Sequence, residues 1–301
     1  MKRLTITILT VLAAACTLLA QEPRAVHHTF AHQGLEREYW LYIPPVCEGC
    51  GDVPEGDNCL TAGMPLVFVL HGYGASAENY FPSMLKEARE RGFAVCVPQG
   101  WTDSRGKTGW VVGYPSQEGS TVDDVDFLCS LASHLQQSWG FSVHDTFVTG
   151  MSNGGEMCYI LAYLKPDVFA AVAPISGLTM EWAMKTLEAS RPVPLMELHG
   201  TEDTTSRWEG DPDNQYGWGR YIAVPIAVGN WVHIDRCTHE IRTELPLKSP
   251  ESHKVILHRY VGGTGGCEVR LYEIVGGKHS KHEKDLDTAA EIWSFFSLYL
   301  E

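Results

Sequence analysis

The chain has 301 residues, of which 44% are hydrophobic and 20% are charged. This composition is ordinary for a globular protein with one large domain or two small ones. The formal net charge of −14 argues against a nucleic-acid or anionic-membrane partner, because an acidic protein is repelled by both.

Residues 1–20 have the layout of a secretory signal peptide. Lys2 and Arg3 precede an apolar run that gives way to polar residues at position 21, and such a segment is removed at the end of its run. The run is short for a membrane span. Cleavage before Cys16 would instead give a lipoprotein, but the apolar run continues past Cys16. We therefore expect a secreted or periplasmic protein.

The mature chain, residues 21–301, shows no internal repeat and no linker, and we expect it to form a single domain. Its net charge would be −16, since two of the 23 basic residues leave with the signal peptide. Such a charge favours a substrate that is neutral at the reacting group.

Apolar runs and helical periodicity alternate along this chain. Residues 66–70 (LVFVL) are typical of a strand buried on both faces, and residues 121–139 repeat apolar side chains at gaps of three and four, as an amphipathic helix does. Strands are predicted at residues 38–43, 66–70, 93–97, 145–149, 170–175, 194–198 and 269–275, and helices at 121–139, 154–165 and 287–299. The alternation predicts an α/β fold with a mostly parallel central sheet and helices on both faces, a three-layer sandwich.

Eight cysteines remain after removal of the signal peptide, and in an exported chain disulfides are the first interpretation. Cys47, Cys50 and Cys59 crowd one loop, where Cys47 and Cys50 could also bind metal. No second Cys/His pair follows at zinc spacing, so no metal site is predicted. The cysteines expected to be buried thiols are Cys96, Cys129 and Cys158.

A single G-x-S-x-G motif lies between a predicted strand and a predicted helix, at Gly150-Met151-Ser152-Asn153-Gly154. A serine on a sharp strand-to-helix turn projects from the top of the sheet, and the crowded turn requires glycine on both sides. The helix that follows also directs N–H groups toward developing negative charge. Ser152 is therefore the predicted nucleophile, with a glycine-rich helix start as the structural alternative.

The acid and the base should follow the nucleophile in chain order, each on a loop after a strand. Asp203 follows the strand PLMEL, and His279 follows the strand RLYEIV. A neutral imidazole can take the serine proton near neutral pH, and a buried aspartate holds its tautomer. Glu202 is the alternative acid and His282 the alternative base.

An oxyanion hole needs two N–H donors, and two places in the sequence fit. Asn153 follows the nucleophile directly, and the segment His71-Gly72-Tyr73-Gly74 follows the strand LVFVL. We expect the amides of Tyr73 and Asn153 to be the donors, with Gly72 or Gly74 as alternatives to Tyr73.

Aromatic residues are concentrated in two loops that follow strands, where α/β sheets build their binding sites. The residues expected to bind substrate are Trp208, Tyr216, Trp218 and Trp110. Such side chains could stack on a sugar ring or on an aromatic acyl group. The alternative is that they pack a long loop against the core.

Five segments, LHGYGASAENY, TVDDVDFL, VTGMSNGGEMCYILA, LHGTEDTT and YEIVGGKHS, together resemble the secreted feruloyl esterase and polyhydroxybutyrate-depolymerase-like group of α/β-hydrolases. The resemblance spans residues 27–300. It implies a lidless hydrolase of plant cell-wall esters or polyesters, with Ser152, Asp203 and His279 as the triad, and it suggests a disulfide between Cys237 and Cys267. The family often has Trp-Pro after the base histidine, and this chain does not.

The resulting hypothesis is a serine esterase that needs no metal or organic cofactor. Its expected partner is an oligo- or polysaccharide bearing feruloyl or acetyl esters. The alternatives are a short-chain polyester hydrolase and, from another class, a non-catalytic carbohydrate-binding protein. The second alternative would be expected to have lost a triad residue, whereas all three are present.

Overall fold

The computed structural model describes residues 22–45 and 60–301. The expected signal peptide, residues 1–20 with Cys16, lies outside these residues, as do Cys47, Cys50 and Cys59 of the cysteine-rich loop. Within the described ranges, no helix is both long enough and apolar enough to cross a membrane.

In the described chain, ten strands form one central sheet. The strands are β1 (Val26–His32), β2 (Leu35–Tyr42), β3 (Leu66–Leu70), β4 (Ala94–Pro98), β5 (Thr146–Met151), β6 (Val172–Ile175), β7 (Leu195–Gly200), β8 (His239–Glu244), β9 (Lys254–Val261) and β10 (Val269–Val275). Their spatial order is β1-β2-β4-β3-β5-β6-β7-β10-β9-β8. The middle of the sheet, from β4 to β10, is parallel, and antiparallel strands extend both edges.

Helices cover both faces of the sheet. They are α1 (Pro82–Arg91), α2 (Asp124–Trp139), α3 (Asn153–Leu164), α4 (Glu181–Thr186), α5 (Val224–Ile234) and α6 (Thr288–Phe296). Helices α2, α3, α4 and α5 contribute buried side chains to one core cluster, and α1 and α6 contribute to the other. β3 and β4 are buried along their whole length because each lies between these two layers. The predicted three-layer α/β sandwich is confirmed.

Several element boundaries differ from the sequence prediction for identifiable reasons. Helix α2 begins at Asp124 rather than at residue 121, because the Asp123 side chain accepts the Asp126 N–H at 2.9 Å and caps the helix there. Helix α6 ends at Phe296, and a 3₁₀ turn at Ser297–Tyr299 continues the chain.

The sequence did not predict β1, β8, β9, α1, α4 or α5. Strand β8 (HEIRTE) is exposed along its whole length, so its sequence lacks the apolar alternation that marks a half-buried strand. Two short ladders also lie among the loops: Trp101–Thr102 pairs with Thr108–Gly109, and Thr179–Met180 pairs with Tyr221–Ile222.

Candidate active site

The predicted nucleophile lies on a strained turn between β5 and α3. Ser152 has φ 55° and ψ −122°, a conformation that a residue with a side chain rarely adopts and that structures tolerate mainly at functional positions. Its amide donates to the Ile175 carbonyl at 2.8 Å, which ties the turn to the end of β6. The backbone there is therefore held in a conformation that the chain would not choose by itself.

The two glycines of the motif are required by close backbone approach. A Cβ at Gly150 would lie 2.6 Å from the backbone of Gly154, and a Cβ at Gly154 would lie 2.3 Å from the Leu70 carbonyl oxygen. Both distances are far below van der Waals contact, so no other residue fits at either position. This is the crowding that the sequence motif predicts.

Asp203 and His279 are brought together by the adjacent strands β7 and β10. His279 Nδ1 lies 2.7 Å from Asp203 Oδ2. The other carboxylate oxygen, Oδ1, accepts the N–H groups of Thr205 and Ser206, each at 2.8 Å. Because Nδ1 faces the carboxylate, it carries the proton, and Nε2 is left to act as a base.

Asp203 is held in its ionised form. Burial raises the pKa of this carboxyl, but the hydrogen bond and charge of His279, the nearby His199 and the Ser206 amide outweigh burial and bring the pKa below its ordinary value. A triad acid needs this state, because only the carboxylate can stabilise the imidazolium that forms during catalysis.

Ser152 and His279 line one cavity of about 230 Å³. Its other lining residues are Tyr73, Tyr114, Glu156, Leu178, Thr205, Ser206 and Trp218. Three of these side chains are aromatic, three are polar or charged and one is aliphatic, a mixture of apolar surface and polar groups that is common in small-molecule binding sites. Two of the three predicted triad residues thus line this cavity, and Asp203 is joined to it through its hydrogen bond with His279.

The alternative acid and base lie elsewhere. Glu202 is exposed. His282 is buried against Ser176, with Nε2 3.4 Å from the Ser176 Oγ. Burial lowers the pKa of His282 to about 4. Neither side chain lines the cavity that contains Ser152, so the geometry favours Asp203 and His279.

The loop after β3 leaves one amide suited to the oxyanion hole. The Gly72 N–H donates to the Tyr80 hydroxyl at 2.9 Å, and the Gly74 N–H donates to the Thr108 carbonyl at 2.6 Å. With its neighbours engaged, Tyr73 is the residue whose amide can serve a substrate. Asn153 is the first residue of α3, where backbone N–H groups have no partner within the helix. Its side chain instead holds both polar backbone atoms of Trp110, at 2.7 and 3.1 Å.

A buried neutral histidine supports the loop after β3, which is the predicted oxyanion loop. His71 Nδ1 lies 2.8 Å from the Gly72 carbonyl, and its Nε2 accepts the Gly100 N–H at 2.9 Å and lies 2.8 Å from the Gln99 side-chain nitrogen. Burial lowers the pKa of His71 to about 4, so the ring stays neutral and Nε2 remains an acceptor.

A second buried histidine, His199, supports Asp203, the predicted triad acid. Its Nδ1 lies 2.7 Å from Glu197 Oε1, its Nε2 lies 2.7 Å from the Ser206 carbonyl, and the same Nε2 lies 3.8 Å from Asp203 Oδ2. The pairing of these two side chains was not predicted from the sequence. The sequence nevertheless indicates such a pair. Glu197 and His199 are two residues apart and lie on the same face of an otherwise apolar buried strand, where charged residues need partners.

The base loop is anchored by Lys281, in the segment where the chain departs from the family it resembles. The Lys281 ammonium donates to the Tyr80 carbonyl at 2.7 Å and lies 4.4 Å from the centre of the Tyr80 ring. The Tyr80 hydroxyl accepts the Gly72 amide. Tyr80 therefore joins the loop that carries His279 to the oxyanion loop.

Glu156 is a further residue of the site that was not predicted from the sequence. It lies one helical turn after Ser152 in α3, lines the cavity and is 1% exposed. Its Oε2 has no hydrogen-bond partner among the described residues. Burial raises its pKa to about 8, although hydrogen bonds from Tyr114 and Asn153 oppose the shift. The only sequence signal was a carboxylate inside the apolar face of a buried helix.

The four aromatic residues expected to bind substrate are distributed differently in the structure. Trp218 lines the cavity. The prediction that Trp110 binds substrate is wrong. Its ring is fully buried and its N–H donates to the His71 carbonyl at 2.9 Å, so it cannot stack on a ligand. Trp208 packs against His199, with ring centres 6.0 Å apart. Tyr216 is exposed beneath the Arg207 guanidinium, outside the cavity.

The suggested disulfide between Cys237 and Cys267 is not formed in the structure. Both residues are free thiols, and the Cys237 Sγ lies 3.9 Å from the Cys267 carbonyl oxygen. The expected thiols Cys96, Cys129 and Cys158 are free as well. Across the described ranges, no group of three or more His, Cys, Asp or Glu residues could hold a metal ion.

Comparison with known proteins places this site in a familiar fold. No family model matches the chain. A ferulic acid esterase from Anaeromyces mucronatus, solved in complex with ferulic acid, superposes with a TM-score of 0.55 at 14% identity, over 92% of this chain and 91% of that one. At this identity the likeness shows the fold alone, and the chain has the α/β-hydrolase fold.

Two curated relatives are similar in sequence. A bifunctional acetylxylan esterase/xylanase from Neocallimastix patriciarum is 24% identical over 268 residues, which is 88% of this chain and 34% of that protein. An acetylxylan esterase from Coprinopsis cinerea is 32% identical over 116 residues, 37% of this chain and 30% of the relative. The chain thus matches about a third of the length of each.

Proposed function

We propose that this protein is a serine carboxylesterase that hydrolyses feruloyl or acetyl esters on xylan-type polysaccharides. The observation that carries the proposal is the 2.7 Å hydrogen bond between His279 and Asp203 beside a cavity that also contains Ser152 on its strained turn. This constellation is recognised by geometry and roles rather than by fold.

The proposed reaction begins with acyl transfer to the serine. Ser152 Oγ attacks the ester carbonyl carbon while His279 Nε2 takes its proton. Asp203 keeps the remaining ring proton on Nδ1 and stabilises the imidazolium. The C–O bond to the alcohol then breaks, and the alcohol leaves with the proton from His279.

The negative charge on the carbonyl oxygen is met by the amides of Tyr73 and Asn153, with the N-terminal end of α3 behind them. Removing one such donor typically costs about 3 kcal/mol of transition-state stabilisation. A water molecule, deprotonated by His279, then attacks the acyl-enzyme and releases the acid. Both proposed steps use only the side chains of Ser152, His279 and Asp203 and the two backbone amides.

Two observations support the substrate class. The similar proteins named above act, by their descriptions, on acetylated xylan or on ferulic acid esters. One part of the cavity wall is aromatic and consists of Tyr73, Tyr114 and Trp218. Their rings pack edge-on or tilted against each other at 5.2–6.3 Å between centres. Aromatic walls around a small cavity favour a flat acyl group, so we place feruloyl first and acetyl second.

The test is hydrolysis of three esters by the purified protein: methyl ferulate, an acetylated xylo-oligosaccharide and a hydroxybutyrate oligomer. Ser152→Ala should lower kcat by roughly 10⁶-fold on every substrate that the protein cleaves. Ser294→Ala, which changes an exposed serine of α6, should leave kcat unchanged.

Each outcome decides one part of the proposal. Turnover that survives in Ser152→Ala would overturn the triad. Cleavage of the hydroxybutyrate oligomer alone would keep the triad and replace xylan esters by polyesters. Absence of serine-dependent turnover on all three esters would overturn the proposed function.

A further inference from the structure

A second cavity, of about 410 Å³, lies beside the catalytic one, and Tyr73 lines both. One wall is the hairpin formed by Trp101–Thr102 and Thr108–Gly109, and the other is the chain segment from Ser116 to Val122. We call this cavity the hairpin groove. We propose that it binds the saccharide backbone of the substrate, on the alcohol side of the ester. This inference rests on the proposed function.

The groove has the chemistry that carbohydrates require. Trp101 lies on its wall with 36% of its surface exposed, and an exposed indole can stack on the C–H face of a sugar ring. The polar side chains around it are exposed and come from Ser104, Lys107, Glu118 and Thr121. In the described chain, no other side chain hydrogen-bonds to those of Ser104, Lys107 or Thr121, so they can meet sugar hydroxyls.

The walls of the hairpin groove are held in place by hydrogen bonds within the protein. Asp103 Oδ1 accepts the N–H groups of Arg105 and Lys107, and its Oδ2 accepts the Tyr73 hydroxyl at 2.5 Å. Asp103 thus fixes both the hairpin turn and the ring that separates the two cavities. A preformed site loses less entropy when its ligand binds.

Gln117 fixes the opposite wall in the same way. Its side-chain oxygen accepts the amides of Val112, Gly113 and Tyr114 at 2.9–3.1 Å, and its nitrogen donates to the Trp110 carbonyl at 2.7 Å. All of its hydrogen-bonding atoms are therefore used within the protein. Gln117 shapes the groove, and the neighbouring exposed side chains remain for the ligand.

The position of Tyr73 assigns the groove to the alcohol side. An ester carbonyl held between Ser152 and the Tyr73 amide has one substituent on each side of Tyr73. The catalytic cavity is too small for a polysaccharide, so it receives the acyl group. The alcohol then passes Tyr73 into the larger groove, which is open to solvent and can accept several linked sugars.

A saccharide fits the groove better than a polyester does. Glu118 and the hydroxyls of Ser104 and Thr121 can accept hydrogen bonds, and sugar hydroxyls supply the matching donors. The backbone of an aliphatic polyester carries acceptors only, so Glu118 would be desolvated without a partner.

The test compares two substrates in the same protein. The quantity is kcat/KM for an acylated xylo-oligosaccharide divided by kcat/KM for the methyl ester of the same acid. Trp101→Ala should lower this ratio about tenfold, because it removes the stacking surface. Trp101→Phe should restore most of the ratio, which separates stacking from misfolding. Tyr216→Ala removes an exposed aromatic ring that lies outside both cavities, and it should leave the ratio unchanged.

Other results would overturn the inference. The groove is not a saccharide site if Trp101→Ala leaves the ratio unchanged, or lowers it no more than Tyr216→Ala does; Ser152-dependent turnover would still uphold the proposed function. A larger loss on a hydroxybutyrate oligomer would assign the groove to a polyester. If no ester is cleaved, calorimetry with xylotetraose decides: binding weakened by Trp101→Ala supports the groove, and absence of binding overturns it.

Discussion

The tripeptide Leu-His-Gly occurs twice, at residues 70–72 and 198–200, and both copies lie beside the catalytic cavity. In each copy the histidine is fully buried at the carboxyl end of a parallel strand. The hydrogen-bond partners are opposite. His71 Nε2 accepts an N–H group from Gly100, whereas both ring nitrogens of His199 face oxygen acceptors.

The partners give the two rings opposite pKa shifts. Burial lowers the pKa of His71 to about 4, with a smaller opposing effect of the Gly72 carbonyl. Burial acts on His199 in the same direction, but the hydrogen bond and charge of Glu197 outweigh it and raise the pKa of His199 above its ordinary value. Burial raises the pKa of Glu197 as well, so the pair retains a proton at a pH where His71 has none.

The difference shows that one residue type serves the two halves of the site in two charge states. The neutral ring of His71 positions the loop that carries the Tyr73 amide. The protonated pair of Glu197 and His199 lies behind Asp203 and favours its carboxylate form. The neighbouring hydrogen-bonding groups, not the tripeptide, decide which state each histidine takes.

The largest expected effect comes from replacing His199, the histidine of the second tripeptide, which carries the charge. His199→Gln leaves Glu197 buried without its cationic partner, which should lower the free energy of unfolding by about 3–5 kcal/mol. The check is urea unfolding at pH 6. The pair contributes fully below the ordinary histidine pKa of 6.5, and its contribution is lost as the pH rises through the raised folded pKa.

A double variant separates the ion pair from packing. The double variant, which combines Glu197→Gln with His199→Gln, has no uncompensated buried charge. It should therefore recover part of the stability that the single variant loses. A loss below about 1 kcal/mol in the single variant would show that the pair carries no buried charge.

The sequence predicted the parts of the site that depend on local backbone geometry. Gly150 and Gly154 are required by contacts within one turn, and the loops after β7 and β10 follow strands that are recognisable from their apolar runs. The motif therefore predicted the position of Ser152 on its turn. The order of the strands predicted the loops that carry Asp203 and His279.

The parts that the sequence did not predict depend on contacts between distant segments. His199 and Glu156 are distinguished by burial and partners, which periodicity does not reveal. The aromatic residues show the same limit: Trp110 and Trp218 look alike in sequence, but one is fully buried and the other lines the cavity. Composition alone does not indicate which side of a loop faces the ligand.

The neutral His71 should make the free energy of unfolding depend on pH in the opposite direction to His199. An unfolded histidine takes up its proton near pH 6.5, whereas His71 does so only near pH 4 in the folded protein. Between these values the unfolded state binds more protons, so stability falls as the pH falls, by about 3 kcal/mol for this group. His71→Gln should flatten this part of the curve of unfolding free energy against pH.

The same variant should be less stable at pH 7, by about 1–3 kcal/mol, because Gly100 and Gln99 lose the ring nitrogen that accepts their hydrogen bonds. His233→Gln changes an exposed histidine of α5 and should alter neither the slope nor the stability. An unchanged slope in His71→Gln would show that His71 does not remain neutral.

A third buried ionisable group, Glu156, lines the cavity itself and should give the smallest effect. Its carboxyl is neutral below its raised pKa of about 8, and its hydrogen-bond partners are Tyr114 and Asn153. The other titratable side chains that line the cavity are Tyr73 and His279, and His279 is hydrogen-bonded to Asp203. Above pH 8 a carboxylate would stand beside the developing oxyanion and oppose it. We expect kcat/KM to fall roughly tenfold on the alkaline side for this reason. In Glu156→Gln, which cannot ionise, the fall should disappear, whereas the exposed-site control Glu90→Gln should retain it. An alkaline fall that persists in Glu156→Gln would assign the limit to another group and leave Glu156 with a structural role only.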